Sequence, residues 1–183
     1  MFLSFKLSSL HPKTDAITFA RDCRDHQKAF ELYQKAAMQG NSYAQEQLGW
    51  CYEKGLGVDK NVQKAVELYQ EAVEQVNDTA YTSLGLCYKN GIGVERDVQK
   101  AVELFQKAAE QKNAYGQYNL GWCYEKGVGV NQDEQKAIEL YQKAAEQGYV
   151  KAQNKVYFFT YNDSSKLKET VKKLAEFYQV ENK

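Results

Sequence analysis

The chain has 183 residues, with 24 basic and 24 acidic side chains and a formal net charge of zero. Its only arginines are Arg21, Arg24 and Arg96, so it lacks the basic footprint a phosphate backbone requires, and nucleic acid is not expected as a partner. One proline, 43% hydrophobic and 13% aromatic residues and a mean hydropathy of -0.69 describe one soluble, well-packed, helical domain, with no membrane insertion and no collagen-like or disordered character. Residues 1–25 read as an N-terminal lead-in. Met1 to Leu10 has scattered apolar residues interrupted by Lys6 and no small-residue cleavage site, which argues against a secretory signal, and Thr14 to Arg24 reads as a degenerate capping helix.

From residue 26 the chain repeats with a period of 36 and no gap, in copies 26–61, 62–97 and 98–133. The second and third copies agree at 20 of 36 positions and the first and third at 23, far more than shared composition gives, so each copy is one structural unit. In the first segment of a copy, Val62, Ala65, Val66, Tyr69, Ala72 and Val73 recur at three- and four-residue steps, which predicts an amphipathic helix. Asp25, Asn61, Asp97 and Asp133 immediately precede these helices and suit their N-caps. In the second segment, Ala44, Leu48, Cys51 and Tyr52 share a narrow arc, as do Ala80, Leu84, Cys87 and Tyr88, which predicts a shorter helix ending at Gly55, Gly91 or Gly127. Gly49, Gly85 and Gly121 inside that helix cost propensity, so they are expected to let the paired helix approach closely. A fourth copy opens with EQKAIELYQKAAEQG and then reads Val156, Tyr157, Phe158, Phe159, Thr160 where the others read L-G-x-C-Y. Residues 149–183 are therefore read as a degenerate final helix followed by a C-terminal capping helix, Ser164 to Tyr178, with Leu167, Val171, Leu174 and Tyr178 on one side.

The motif L-G-x-C-Y-x-x-G-x-G-V followed by K-A-x-E-L-[YF]-Q-x-A closely resembles the Sel-one-like repeat (SLR), a longer relative of the tetratricopeptide repeat, over residues 26–148. The resemblance implies an all-α fold, a right-handed α-solenoid of stacked antiparallel helix pairs. It also implies an adaptor or scaffold role, since family members serve membrane-protein degradation machinery or engage host cells.

Cys51, Cys87 and Cys123 occupy one repeat position, where the family usually carries a larger apolar residue. Stacked helices put equivalent positions about 10 Å apart, beyond disulfide reach, so they are expected to be small buried hydrophobes in a reducing compartment, cytoplasmic or a host cytosol. The secreted, cysteine-rich branch of the family places two cysteines within one repeat, a spacing absent here. His11 and His26 are the only histidines and no Cys-x-x-Cys exists, so no metal site and no cofactor are expected. The G-x-G-V loops follow a helix and lack the third glycine and the lysine-serine pair of phosphate loops, which leaves them as turns whose valine pins the loop to the core. Glu67, Glu71 and Glu74 read as a solvated face. Repetition duplicates packing residues and offers no singular catalytic constellation, so the chain is not expected to be an enzyme, and a hydrolase is the weakest of its functional readings.

Beside the core arc of the second helices runs a stripe that differs between copies: Tyr43, Gln47, Trp50 and Lys54, then Thr79, Ser83, Leu86 and Asn90, then Tyr115, Asn119, Trp122 and Lys126. These helices are expected to line the concave face. Trp50, Leu86 and Trp122 would form an apolar rail, flanked by hydrogen-bonding groups and by lysines that favour an acidic partner segment. Half-buried packing is the competing explanation of the tryptophans. The expected function is a protein-protein interaction adaptor that holds a protein or peptide in the groove. Alternatives are a bacterial host-interaction or regulatory protein that modulates one enzyme, and a structural spacer.

Overall fold

Eight helices of twelve or thirteen residues alternate with short turns over residues 26–161, the part of the chain that the computed structural model describes. They are α1 (His26–Met38), α2 (Ser42–Lys54), α3 (Val62–Glu74), α4 (Asp78–Asn90), α5 (Val98–Glu110), α6 (Ala114–Lys126), α7 (Glu134–Glu146) and α8 (Val150–Tyr161), with no strand among the described residues. The result is an all-α solenoid of helix pairs. The lead-in, the Asp25 cap, Cys23 and the 164–178 capping segment lie outside the described residues. None of the described helices is long and apolar enough to cross a membrane.

Local chemistry sets each helix boundary. The side chains of Asn61, Asp97 and Asp133 accept from the amides of Lys64, Lys100 and Lys136 at 3.0, 3.0 and 2.9 Å, satisfying orphan donors at the starts of α3, α5 and α7. The second helices are capped too, by Asn41, Asn77 and Asn113, which accept from the amides of Ala44, Ala80 and Gly116 at 3.1, 2.9 and 2.9 Å. Gly55, Gly91 and Gly127 close α2, α4 and α6 in the left-handed conformation, at φ 72°, 70° and 64°, and donate to the carbonyls of Cys51, Cys87 and Cys123.

The turn after each first helix also needs a left-handed residue. Gly40 and Gly148 supply it at the ends of the array, but Val76 and Lys112 adopt φ 59° and 62° in the middle. A β-branched residue in this conformation is strained, and Val76 is 62% exposed, so its side chain gains little in return. Val76→Gly is expected to stabilise the protein by about 1 kcal/mol, read as a rise in the urea midpoint at unchanged slope.

The apolar arcs meet in one continuous core. Tyr69, Tyr141 and Phe105 are its largest fully buried side chains, with Ala65, Ala101 and Ala137 beside them. A second helix packs more extensively on the first helix of the following copy than on its own partner. The internal glycines serve that contact: a Cβ on Gly49 would stand 2.7 Å from the Tyr69 ring, one on Gly85 2.6 Å from Phe105 and one on Gly121 3.0 Å from Tyr141. The helix admitted thus belongs to the next copy and not to the pair the glycine sits in. Each ring fills the cleft that a missing side chain leaves, a match of shape that close packing rewards. Val58, Val94 and Val130 of the loops pack partly buried against the core, as their spacing suggests. Lys64, Lys100 and Lys136 cover the rings of Tyr52, Tyr88 and Tyr124, with the ammonium 4.7, 4.3 and 4.4 Å from the ring centre.

Candidate functional site

The second helices stand side by side, α2 against α4 and α4 against α6, while the first helices do not meet one another to the same degree. Residues 36 apart therefore form rungs, and every candidate residue lies on one of them.

The apolar rung holds Trp50, 43% exposed, and the half-buried Leu86 and Trp122, both packed against the core. It continues to Phe158 on α8, 55% exposed, where the decayed fourth copy had hidden it from a motif-based reading. Lys89 stands over the Trp122 ring at 4.5 Å, and burial pulls its ammonium below the ordinary lysine range. Trp50 offers its face to solvent more freely than Trp122. Tyr115, 55% exposed, meets the Tyr149 ring at 4.7 Å, and Tyr149 meets Tyr118 at 5.1 Å, so the last two copies share an aromatic cluster.

Several polar candidates are engaged within the protein. The Ser83 hydroxyl donates to Glu46 at 2.8 Å and the Gln47 amide donates to the same carboxylate at 2.6 Å. Glu46 is only 4% exposed, and burial holds its carboxyl above the usual range against the pull of these two bonds. Asn119 donates to the Tyr115 carbonyl at 2.8 Å, Lys54 pairs with Glu53, and Lys126 pairs with Glu125 at 2.8 Å. Tyr43 and Thr79 are half-buried, and Asn90 is exposed.

One rung shows two columns changing together. At the first and last of the three glycine clefts, Tyr69 donates to Glu53 at 3.0 Å and Tyr141 donates to Glu125 at 2.6 Å. At the middle cleft the same two positions are Phe105 and Lys89, so the hydroxyl and the carboxylate that accepts from it disappear as a pair. Glu125 also pairs with Lys155 at 2.7 Å. Burial pushes the Glu125 carboxyl up, but bonds from Lys126, Lys155 and Tyr141 outweigh it and hold the group at about 2. Around this cluster Tyr118, Glu125, Lys126, Lys151, Asn154, Lys155 and Phe158 line an open cavity of about 520 Å³.

The three cysteines on this framework are free and buried, and burial pushes the thiols of Cys51, Cys87 and Cys123 to about 11, 12 and 11. Thiols so placed are packing groups and not nucleophiles. Among the described residues no group of three or more histidine, cysteine or carboxylate side chains could hold a metal ion.

A family model described as Sel1 repeat matches residues 24–41, 42–77, 79–113 and 114–149. Its repeats run from a second helix through the following first helix, the same pairing that the glycine clefts join. Among solved structures, a Sel1 repeat protein from Oxalobacter formigenes is 31% identical over 72% of this chain and 53% of its own, with a TM-score of 0.70. A protective antigen of uropathogenic Escherichia coli displaying an SLR fold is 35% identical over 79% of this chain and 31% of its own, with a TM-score of 0.68. The chain thus spans about half and about a third of these two relatives. Helicobacter pylori cysteine rich protein B, 23% identical over 80% of this chain and 97% of its own at a TM-score of 0.52, shares the fold. No curated protein matches the sequence.

Proposed function

The chain belongs to the Sel1 repeat family, and from that premise we propose that it is an adaptor holding a partner protein or extended peptide in the groove lined by α2, α4, α6 and α8. Proteins of this family generally mediate protein-protein interaction on a helical scaffold that is generally non-enzymatic. The observation that carries the proposal is the aromatic rail. Trp50 and Phe158 expose large apolar surface at the two ends of a preformed face, with Leu86 and Trp122 half-buried between them. A few such anchors dominate binding energy in protein interfaces, and a rigid frame lowers the ordering cost of using them. Lys54 and Lys126 keep their exposed ammonium groups beside the rail, which suits a partner segment with acidic residues. Ser83 commits its one O–H inside the protein, while Gln47 and Asn119 are held in place through one of their two amide N–H groups.

The test is affinity capture from the source lysate with the wild type and a Trp50→Ala/Trp122→Ala variant, after circular dichroism shows that both are helical. Loss of a specific partner from the folded variant is the expected result. Identical capture by both proteins would return the tryptophans to the core and remove the proposal.

A further inference from the structure

The groove is not electrically uniform along its length. Helix α2 carries Glu46, Glu53 and Lys54, α4 carries Asp78 and Lys89, α6 carries Glu125 and Lys126, and α8 carries only Lys151 and Lys155. The second helices thus pass from one net negative charge through neutrality to two net positive. The first helices show no such progression, since α1, α3, α5 and α7 carry +1, -2, 0 and -1. Glu46 is buried, so the charge that reaches the groove face is balanced on α2, α4 and α6 and net positive on α8, where a ligand would feel it.

At the positive end lies the 520 Å³ cavity between α6 and α8. Three of its lining residues are lysines and one is an acid, Glu125, which leaves an excess of positive charge. Lys126 and Lys155 pair with the two oxygens of Glu125 at 2.8 and 2.7 Å, and an ammonium has three N–H groups, so each keeps donors for an incoming carboxylate. Lys151 is exposed at the mouth. Phe158 supplies an apolar wall, 55% exposed, and the Asn154 amide adds a neutral hydrogen-bonding group. Isolated surface lysines would suit any anion. A lysine cluster against an exposed aromatic ring suits an acidic side chain beside an apolar one.

We propose that this cavity is an anchoring seat in the groove: it holds an acidic residue flanked by an aromatic or large aliphatic residue of the partner segment, and so fixes the direction in which that segment lies. The inference rests on the adaptor reading above and adds to it a pocket, three residues that the repeat motif does not mark (Lys151, Lys155 and Phe158) and a polarity. Charge complementarity of this kind sets orientation and encounter rate more than total affinity.

The experiment selects phage-displayed random dodecapeptides on the full chain, then measures a fluorescein-labelled synthetic copy of the most enriched peptide by anisotropy. Enriched sequences should carry Asp or Glu within two positions of an aromatic or large aliphatic residue. Affinity should fall roughly tenfold with Lys151→Glu/Lys155→Glu and should weaken as salt is raised. Phe158→Ala, which touches no ion pair, gives a second variant should the charge reversal unfold the chain, and it should also weaken binding. Lys60→Glu, in an exposed loop, should leave affinity unchanged. Peptides without an acidic residue, or peptides indifferent to the α8 substitutions but lost with Trp50→Ala/Trp122→Ala, would overturn this inference and leave the groove reading standing. Failure to enrich any peptide, or indifference to both sets of substitutions, would overturn both.

Discussion

Replacing Gly93 by alanine is expected to destabilise the protein by about 3 kcal/mol, the sum of a left-handed backbone cost and an overpacking cost. Gly93 sits at φ 68° in the loop after α4, and an added Cβ would lie 2.5 Å from the Val62 carbonyl oxygen and 2.9 Å from its carbon. Those are main-chain atoms at the start of α3, and they cannot swing aside as a side chain would. Gly148→Ala separates the two costs. Gly148 has φ 83° with nothing within 4 Å of the added Cβ, so only the conformational part applies, about 1 kcal/mol. Urea unfolding of the two variants checks the prediction. Equal losses would show that the loop shifts freely and that its close approach to the start of α3 stores no stability.

Glu125→Gln should cost about 1.5 kcal/mol at pH 7, an effect kept modest by solvent screening of its partly exposed lysine partners, and the cost should vanish near pH 2. Glu125 is held at about 2 in the folded chain, below its ordinary value of about 4.3 when unfolded. A carboxyl lowered by folding contributes stability that is complete above the unfolded value and is lost as pH falls towards the folded one. The difference between wild type and variant should therefore shrink between about pH 4.5 and 2. Glu46 works in the opposite direction, because a carboxyl raised by burial is stabilised by protonation and its contribution is lost as pH rises through the folded value. Its contribution is common to both proteins and drops out of the comparison. Chemical denaturation at several pH values supplies the curve, and a difference that stays constant with pH would mean that the Glu125 ion pairs add nothing.

Periodicity made the architecture legible because each copy repeats the same local instructions. The stripe Ala65, Val66, Tyr69 and Ala72, the caps at Asn61, Asp97 and Asp133 and the stops at Gly55, Gly91 and Gly127 all depend on neighbours within a turn or two. The caps of the second helices were equally local. Asn41, Asn77 and Asn113 recur in one column, immediately before the apolar arc that each helix carries. What lay beyond reach was register between copies. Ser83 looks like a groove donor until the structure brings it to Glu46, 37 positions away, and Gln45 meets Gln75 across 30. Nothing in the spacing of a single copy specifies those partners. Phe158 escaped for a different reason: it keeps the 36-residue interval from Trp122, but the motif around it has gone. The paired change of Tyr and Glu to Phe105 and Lys89 was visible in the columns, although only geometry revealed that one hydroxyl connects them.

The glycine cleft and the ring that fills it lie in successive copies, and each internal copy carries one of each: Tyr69 closes the cleft of Gly49, while Gly85 in the same copy receives Phe105. A duplication of 36 codons therefore inherits a socket and a plug together. Unequal crossing-over between any two copies leaves the reading frame intact and joins surfaces that already fit, so the array can lengthen or shorten in evolution without a new interface having to be invented.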